Sequence, residues 1–161
     1  MPYLLDTNVF LTAKNTYYGL DFAPGFWDWI EQAHKGGRLY SVDSVRDGLM
    51  QGADELAEWA RTKGADFFLQ PDEQVVRSLA LISNWASGAG YDPAAVNTFL
   101  AGADYYLVAH AHAHSFEVVT HETPATTTRR IKIPNACIPH RIKTVNTFTM
   151  LRLERARLVL P

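Results

Sequence analysis

The sequence contains a single cysteine, Cys137, among 161 residues. One thiol excludes an internal disulfide and a cysteine-based zinc site, and it fits a reducing compartment. No apolar run approaches the roughly 20 residues that span a bilayer, and the amino terminus has no basic segment followed by an apolar leader. We therefore expect a cytoplasmic protein without membrane contact, in which Cys137 is a buried free thiol.

Internal repeats and low-complexity linkers are also missing, so no domain boundary is predicted. The chain is 47% apolar and 12% aromatic, which is enough material for a substantial core. We expect one domain over residues 1–161.

Charge is divided unevenly along the chain. Residues 1–128 hold seven Lys or Arg against sixteen Asp or Glu, and residues 129–161 hold eight against one. This split favours a polyanion contact beside an acidic site. A basic tail that packs over an acidic body and neutralises it would give the same pattern.

Short apolar runs alternate with stretches of helical periodicity, which predicts an α/β fold with a mostly parallel sheet and helices on both faces. The predicted strands are 3–5, 38–42, 67–69, 116–120, 144–145 and 158–160. The predicted helices are 8–14, 24–35, a segment capped by Asp43 or Ser44 and running to Met50, 53–63, 71–86 with Pro71 in its first turn, 93–100, 103–114 and 147–156.

Two predicted strands end in acidic or polar residues. The apolar run 3–5 leads directly into Asp6, and the run 116–120 leads through Thr120 and His121 into Glu122. The carboxyl ends of parallel strands form the crevice where open α/β sheets bind ligands. Asp6 is therefore a candidate for chemistry, with capping of the next helix as the alternative.

A third acid, Asp104, lies in the first turn of the predicted helix 103–114, where the helix dipole alone could explain it. If the fold brings Asp6, Asp104 and Glu122 to one edge, their charges repel, and an Mg²⁺ or Mn²⁺ ion relieves that repulsion. Such an ion orients and activates water for attack on a phosphodiester. This arrangement would be typical of a nuclease.

Four short motifs occur in a recognisable order: LLDTNVF (4–10), SVDSV (41–45), GADYYLVAHA (102–111) and VVTHE (118–122). Together they resemble the PIN-domain ribonucleases, and more specifically the VapC-like toxins of bacterial type II toxin–antitoxin systems. The resemblance implies a PIN-like three-layer α/β/α fold with about five strands, Mg²⁺- or Mn²⁺-dependent cleavage of RNA, inhibition by a cognate antitoxin, and a homodimer.

The resemblance also implies roles for individual residues. Asp6 would be the first metal ligand, with Asn8 as the polar residue that supports it. Asp104 and Glu122 would be the third and fourth acids, and Thr120 would place a hydroxyl beside the site.

The second acid of the pattern is missing. A Glu is expected directly before Leu49, and this chain has Gly48 there. Asp47 is a doubtful substitute, because a shift of one residue turns a helical side chain by about 100°. The departure predicts a weakened or inactivated toxin, or a metal held by fewer ligands. The alternative is a non-catalytic PIN-like subunit that binds RNA or protein.

A phosphotransferase with an aspartyl nucleophile is a rival from another class. It also places Asp at the end of its first strand, but it requires a second acid two residues later, where this chain has Asn8. That disfavours it.

Further side chains are candidates for binding. The basic residues predicted to contact RNA phosphates, or an antitoxin tail, are Arg129, Arg130, Lys132, Arg141 and Lys143.

The first loop carries Tyr17, Tyr18 and Phe22, which could stack an unpaired base, pack internally, or form a dimer contact. The apolar helices at 26–34 and 54–60 offer surface for a homodimer. His110 and His114 share a helical face and could bind a transition metal, although packing is favoured. His121 could contact a phosphate.

Overall fold

The computed structural model describes residues 1–160 and contains a five-stranded parallel sheet. Its strands are β1 (Tyr3–Leu5), β2 (Leu39–Val42), β3 (Phe68–Leu69), β4 (Glu117–Val119) and β5 (Thr144–Val145). They lie in the order β3-β2-β1-β4-β5, and each neighbouring pair is parallel. In the register, Leu4 lies beside Tyr40 of β2 and Val118 of β4. All five strands therefore end at the same edge of the sheet.

Helices connect the strands and cover the sheet. They are α1 (Thr7–Thr12), which continues into a π-helical turn (Ala13–Tyr17), α2 (Pro24–Lys35), α3 (Asp43–Met50), α4 (Glu55–Arg61), α5 (Glu73–Gly88), α6 (Pro93–Ala101), α7 (Ala103–His114), α8 (Ile133–Cys137), followed by a 3₁₀ turn (Ile138–His140), and α9 (Thr147–Leu153). Several begin at side-chain caps. Asp54, Asp72 and Asn146 each accept a hydrogen bond from a backbone N–H three residues on, at 2.8–3.0 Å, which satisfies an otherwise unpaired donor.

The two central strands are buried on both faces. Every residue of β1 and β4 is less than 9% exposed, so helices must cover both sides of the sheet. The central helix α7 contacts β2 and β4 as well as α5 and α8, and residues 107–111 are buried in succession. A helix buried on most sides needs no polar face. The predicted three-layer α/β/α fold with about five strands is confirmed.

Three local predictions are wrong. Residues 158–160 form no strand, and they line an apolar groove with Tyr17 and Phe22. The edges of the sheet are formed by β3 and β5, and this apolar run lies against the first loop instead. Neither Asp43 nor Ser44 caps α3, whose N-cap is Val42. Pro71 precedes the cap of α5, because Asp72 itself accepts the capping hydrogen bond.

The apolar faces of α2 and α4 are used inside the chain. Phe26, Trp27 and Ile30 of α2 and Leu56 and Ala60 of α4 are all less than 5% exposed. They therefore do not provide the free surface on which the homodimer was expected. Within residues 1–160, no helix combines the length and the apolar character of a membrane span.

Candidate active site at the carboxyl edge of the sheet

Asp6 leaves the end of β1 and is 1% exposed. Its backbone N–H donates to the carbonyl of Val119 in β4 at 3.1 Å, which fixes it beside that strand. One carboxylate oxygen accepts the backbone N–H of Asn8 at 3.1 Å, and the other accepts the Thr120 hydroxyl at 2.7 Å. Asp6 is thus the N-cap of α1 and also part of a contact between distant segments, so capping alone does not account for it.

Thr120 organises the end of β4. Its buried hydroxyl donates to Asp6 and accepts the backbone N–H of Glu122 at 3.1 Å. The Glu122 carboxylate in turn accepts the N–H of Ile133, at the start of α8, at 3.4 Å. These contacts place Glu122 at the same edge as Asp6. Asn8 supports Asp6 through its backbone amide, while the residue itself is exposed.

Asp104 completes a group of three interacting acids. Burial, together with the charges of Asp6 and Glu122, raises the pKa of Asp104 to about 7, and Arg130 opposes the shift. Burial also raises the pKa of Asp6 to about 6, against the hydrogen bonds from Thr120 and Asn8. Asp104 lies in the first turn of α7, which begins at Gly102 without a side-chain cap. The fold therefore brings all three predicted acids within range of one another's charge.

The three acids do not form a closed metal cage. Among residues 1–160, no three His, Cys, Asp or Glu side chains are grouped closely enough to hold an ion together. Mg²⁺ does not require such a cage, since it retains several waters and is commonly bound through one or two carboxylates plus substrate phosphates. The all-oxygen donors and the raised pKa values of Asp6 and Asp104 fit that kind of ion.

Gly48 faces open space. A Cβ built on Gly48 meets no atom within 4 Å, and the residue lines a cleft of about 520 Å³ with Ala103 and Tyr106 of α7. A longer side chain at position 48 therefore fits beside the helix that carries Asp104. Asp47 lines the same cleft but is exposed, and it is not among the groups that shift the pKa of Asp104.

Four of the five predicted basic residues separate into two groups. Arg129 and Arg130 line a cleft of about 400 Å³ with Asp104, so they border the acids. Arg141 and Lys143 precede β5 and lie at the opposite, amino edge of the sheet, where Lys143 pairs with Glu117 at 3.3 Å. Lys132 is the N-cap residue of α8. The five residues therefore do not form one continuous basic surface beside the acids.

The histidine-rich stretch of α7 has structural roles. His110 is 1% exposed, and burial lowers its pKa to about 4. The imidazole of His112 is hydrogen-bonded to Ser78 at 2.7 Å and that of His114 to Asp72 at 2.7 Å. These hydrogen bonds join α7 to α5 and to its N-cap residue Asp72. They support packing, and not metal binding, as the role of these histidines. Cys137 is a buried free thiol as predicted, and burial raises its pKa to about 12.

Two residues that follow β5 lie at the same edge without any sequence pattern that predicts it. Thr147 and Phe148 reach the same edge as Thr120, and the Thr147 hydroxyl is 3.0 Å from His121 Nε2. Thr98 of α6 also lines the cleft of Asp104. Their segments carry no acid or recognisable motif, so only the three-dimensional fold shows that they lie near the acids.

A family model covers almost the whole chain. The family described as "Domain of unknown function (DUF4411)" matches residues 3–158. The chain belongs to the DUF4411 family. No curated protein gives a significant match to this DUF4411 sequence.

A solved structure shares the fold of this DUF4411 protein. It is described as the crystal structure of VapBC2 from Rickettsia felis bound to a DNA fragment from their promoter. The match has 18% identity and a TM-score of 0.53, and it covers 91% of this chain and 98% of that one. At this identity the likeness concerns the fold, and it confirms the PIN-like architecture predicted from the motifs.

Proposed function

We propose that this DUF4411 protein is a metal-dependent endoribonuclease. The observation that supports the proposal most strongly is the buried Asp6, which Thr120 fixes within charge range of Asp104 and Glu122. Uncompensated carboxylates at the carboxyl edge of a parallel sheet cost free energy unless a cation joins them. Divalent cations with oxygen ligands are the cations that suit such a group.

Asp6 and Asp104 would hold Mg²⁺ or Mn²⁺, with Glu122 beside them. When bound, such an ion orients water and stabilises charge that develops on a phosphodiester. Thr120 keeps the Asp6 carboxylate in one orientation by donating to it. Arg129 and Arg130 border the same cleft and suit the backbone phosphates of RNA, which carry no sequence information.

We further propose a toxin role with a cognate antitoxin as partner. The structural neighbour is named as VapBC2 bound to a DNA fragment from its promoter, and the sequence motifs resemble those of VapC-like toxins. A neighbouring reading frame that encodes a small DNA-binding protein would support this role. A homodimer would have to form through a face other than the buried sides of α2 and α4.

Gly48 supports a second candidate function. The open cleft beside Gly48 lacks the acid that the PIN-like pattern places there. A site with fewer carboxylates could bind RNA or a protein without cleaving RNA. This candidate predicts RNA binding that persists in a chelator and no cleavage with any divalent ion.

Cleavage of structured RNA separates the two functions. The protein is incubated with RNA and either Mg²⁺ or Mn²⁺, alongside Asp6→Asn and the matched surface variant Asp28→Asn, which alters an exposed acid of α2. An endoribonuclease gives metal-dependent products that Asp6→Asn abolishes and Asp28→Asn leaves unchanged. Products that survive Asp6→Asn, or no products even after Gly48→Glu, would reject the enzymatic function.

A further inference from the structure

A line of aromatic rings leads away from the candidate active site. The His121 ring, between Thr120 and Glu122, lies 5.8 Å from the ring of Phe148, and the Phe148 ring lies 5.1 Å from Tyr17 in an edge-to-face contact. His121 follows β4, Phe148 follows β5, and Tyr17 ends the segment that begins at Asp6. We call His121, Phe148 and Tyr17 the aromatic track.

The members of the aromatic track are held in place but not covered. The Thr147 hydroxyl, which is buried, is 3.0 Å from His121 Nε2 and orients that ring. Tyr17 is 49% exposed, although it packs against Phe148. His121 and Phe148 are each partly exposed. A rigid aromatic surface that remains half open to solvent loses little conformational entropy when a flat ligand stacks on it.

The π-helical turn explains how Tyr17 reaches this position. Tyr18 donates its N–H to Ala13 across five residues at 2.7 Å, and this wide turn changes the direction of successive side chains. Tyr18 stacks on Phe26 in the core, with ring centres 4.5 Å apart and planes within 9°, whereas Tyr17 turns outward to Phe148. Single π-turns within helices occur frequently at functional sites.

We propose that the aromatic track binds unpaired bases of single-stranded RNA next to the scissile phosphate. The inference rests on the proposed ribonuclease function and assigns its substrate class. Every base has an aromatic face, and single-stranded nucleic acid is commonly held by stacking on such rings. His121 lies between Thr120 and Glu122 in the chain, so the aromatic track begins beside the acids and a strand stacked on it would pass close to them. One face of the Tyr18 ring is covered by Phe26.

Binding to two RNA probes tests this site without any need for catalysis. A labelled single-stranded oligoribonucleotide and an abasic strand of the same length are titrated in a chelator, with fluorescence anisotropy as the readout. The strand with bases should bind more tightly than the abasic strand. Tyr17→Ala should weaken binding of the base-containing strand about tenfold and leave the abasic strand unaffected. Tyr17→Phe should retain the discrimination, because it keeps the ring.

Two further variants control the interpretation. Phe22→Ala removes an exposed ring from the same loop but outside the aromatic track, and it should bind both strands as the wild type does. Phe148→Leu should reduce the preference for the base-containing strand in the same direction as Tyr17→Ala. Thermal melting confirms that each variant is folded.

The proposal is overturned if Tyr17→Ala binds both strands like the wild type, or if the wild type does not distinguish them. It is also overturned if Tyr17→Ala changes the oligomeric state and not the preference for bases, since the track would then be an interface between copies. Base-dependent binding without metal-dependent cleavage would contradict the ribonuclease function and support base binding by the aromatic track. A cleavage rate that Tyr17→Ala does not change would contradict base binding by the aromatic track and support the ribonuclease function.

Discussion

Acids at the two edges of the sheet differ in whether a cation is paired with them. At the amino edge, the nearly buried Glu117 pairs with Lys143 at 3.3 Å, and Glu154 pairs with Arg38 at 2.7 Å. At the carboxyl edge, the charges of Asp6 and Glu122 add to burial in raising the pKa of Asp104, and among residues 1–160 Arg130 is the cation that opposes this shift. The fold thus pairs acids with cations at the amino edge and leaves them uncompensated at the edge for which we propose a cation site.

The largest change is expected when the missing acid is restored at the carboxyl edge. Gly48→Glu should raise Mn²⁺-dependent RNA cleavage about a hundredfold, because the new carboxylate enters the open cleft beside α7. Gly88→Glu is the matched control, since a Cβ at Gly88 also meets no atom within 4 Å and lies at the end of α5. Equal rates for both variants would show that position 48 does not serve the site.

Neutralising an acid at the carboxyl edge should stabilise the protein. The pKa of Asp104 is about 7 in the folded chain against an ordinary value of 3.8, so raising the pH through this interval favours the unfolded chain. Without divalent ions, Asp104→Asn should increase the free energy of unfolding by roughly 2 kcal/mol near neutral pH. The gain should vanish below about pH 4. Urea unfolding of both proteins at both pH values measures this gain. A loss of stability near neutral pH would contradict the claim that the charge of Asp104 is uncompensated.

Removing a cation at the amino edge should have the opposite effect. Lys143→Met leaves Glu117 nearly buried without its partner and should lower the free energy of unfolding by about 1 to 2 kcal/mol. Arg77→Met breaks a fully exposed pair with Glu73 on α5 and serves as the control, with a loss below about 0.5 kcal/mol. If both variants lose the same amount, the amino edge has no special electrostatic role.

The smallest effect concerns the hydroxyl between the acids. Thr120→Val keeps the shape of the side chain but removes the hydrogen bonds to Asp6 and from Glu122. It should cost about 1 kcal/mol of stability and raise the pKa of Asp6, since one stabilising donor to the carboxylate is lost. NMR titration of the Asp6 carboxyl carbon measures the shift. An unchanged pKa would show that Thr120 does not hold the carboxylate.

Sequence reasoning located the acids because strand ends are visible in the pattern of apolar residues. Leu4 and Leu5 of β1 and Val118 and Val119 of β4 are apolar pairs that each lead to an acid, and parallel pairing aligns their ends. It failed at residues 158–160, where Leu, Val and Leu look like a strand but line a groove beside the first loop. Periodicity describes one segment at a time, so it does not show whether an apolar run pairs with a sheet or packs against a loop.

The contacts that define the site are less accessible to sequence reasoning. The hydrogen bond from Thr120 to Asp6 joins residues 114 positions apart, and no local pattern encodes it. The separation of Lys143 from Arg130 follows from the direction of β5, because residues before a strand lie at the amino edge. The outward turn of Tyr17 depends on a π-helical turn whose hydrogen bond is set by tertiary packing.

Calorimetric titration with Mn²⁺ tests whether the carboxyl edge is a cation site. At about pH 6.5, Asp6 and Asp104 should be partly protonated, so one ion should bind with release of protons and with heat that depends on the buffer. Asp6→Asn should abolish this binding. An absence of binding to the wild type, or binding that Asp6→Asn does not weaken, would contradict the assignment of the acids to a metal site.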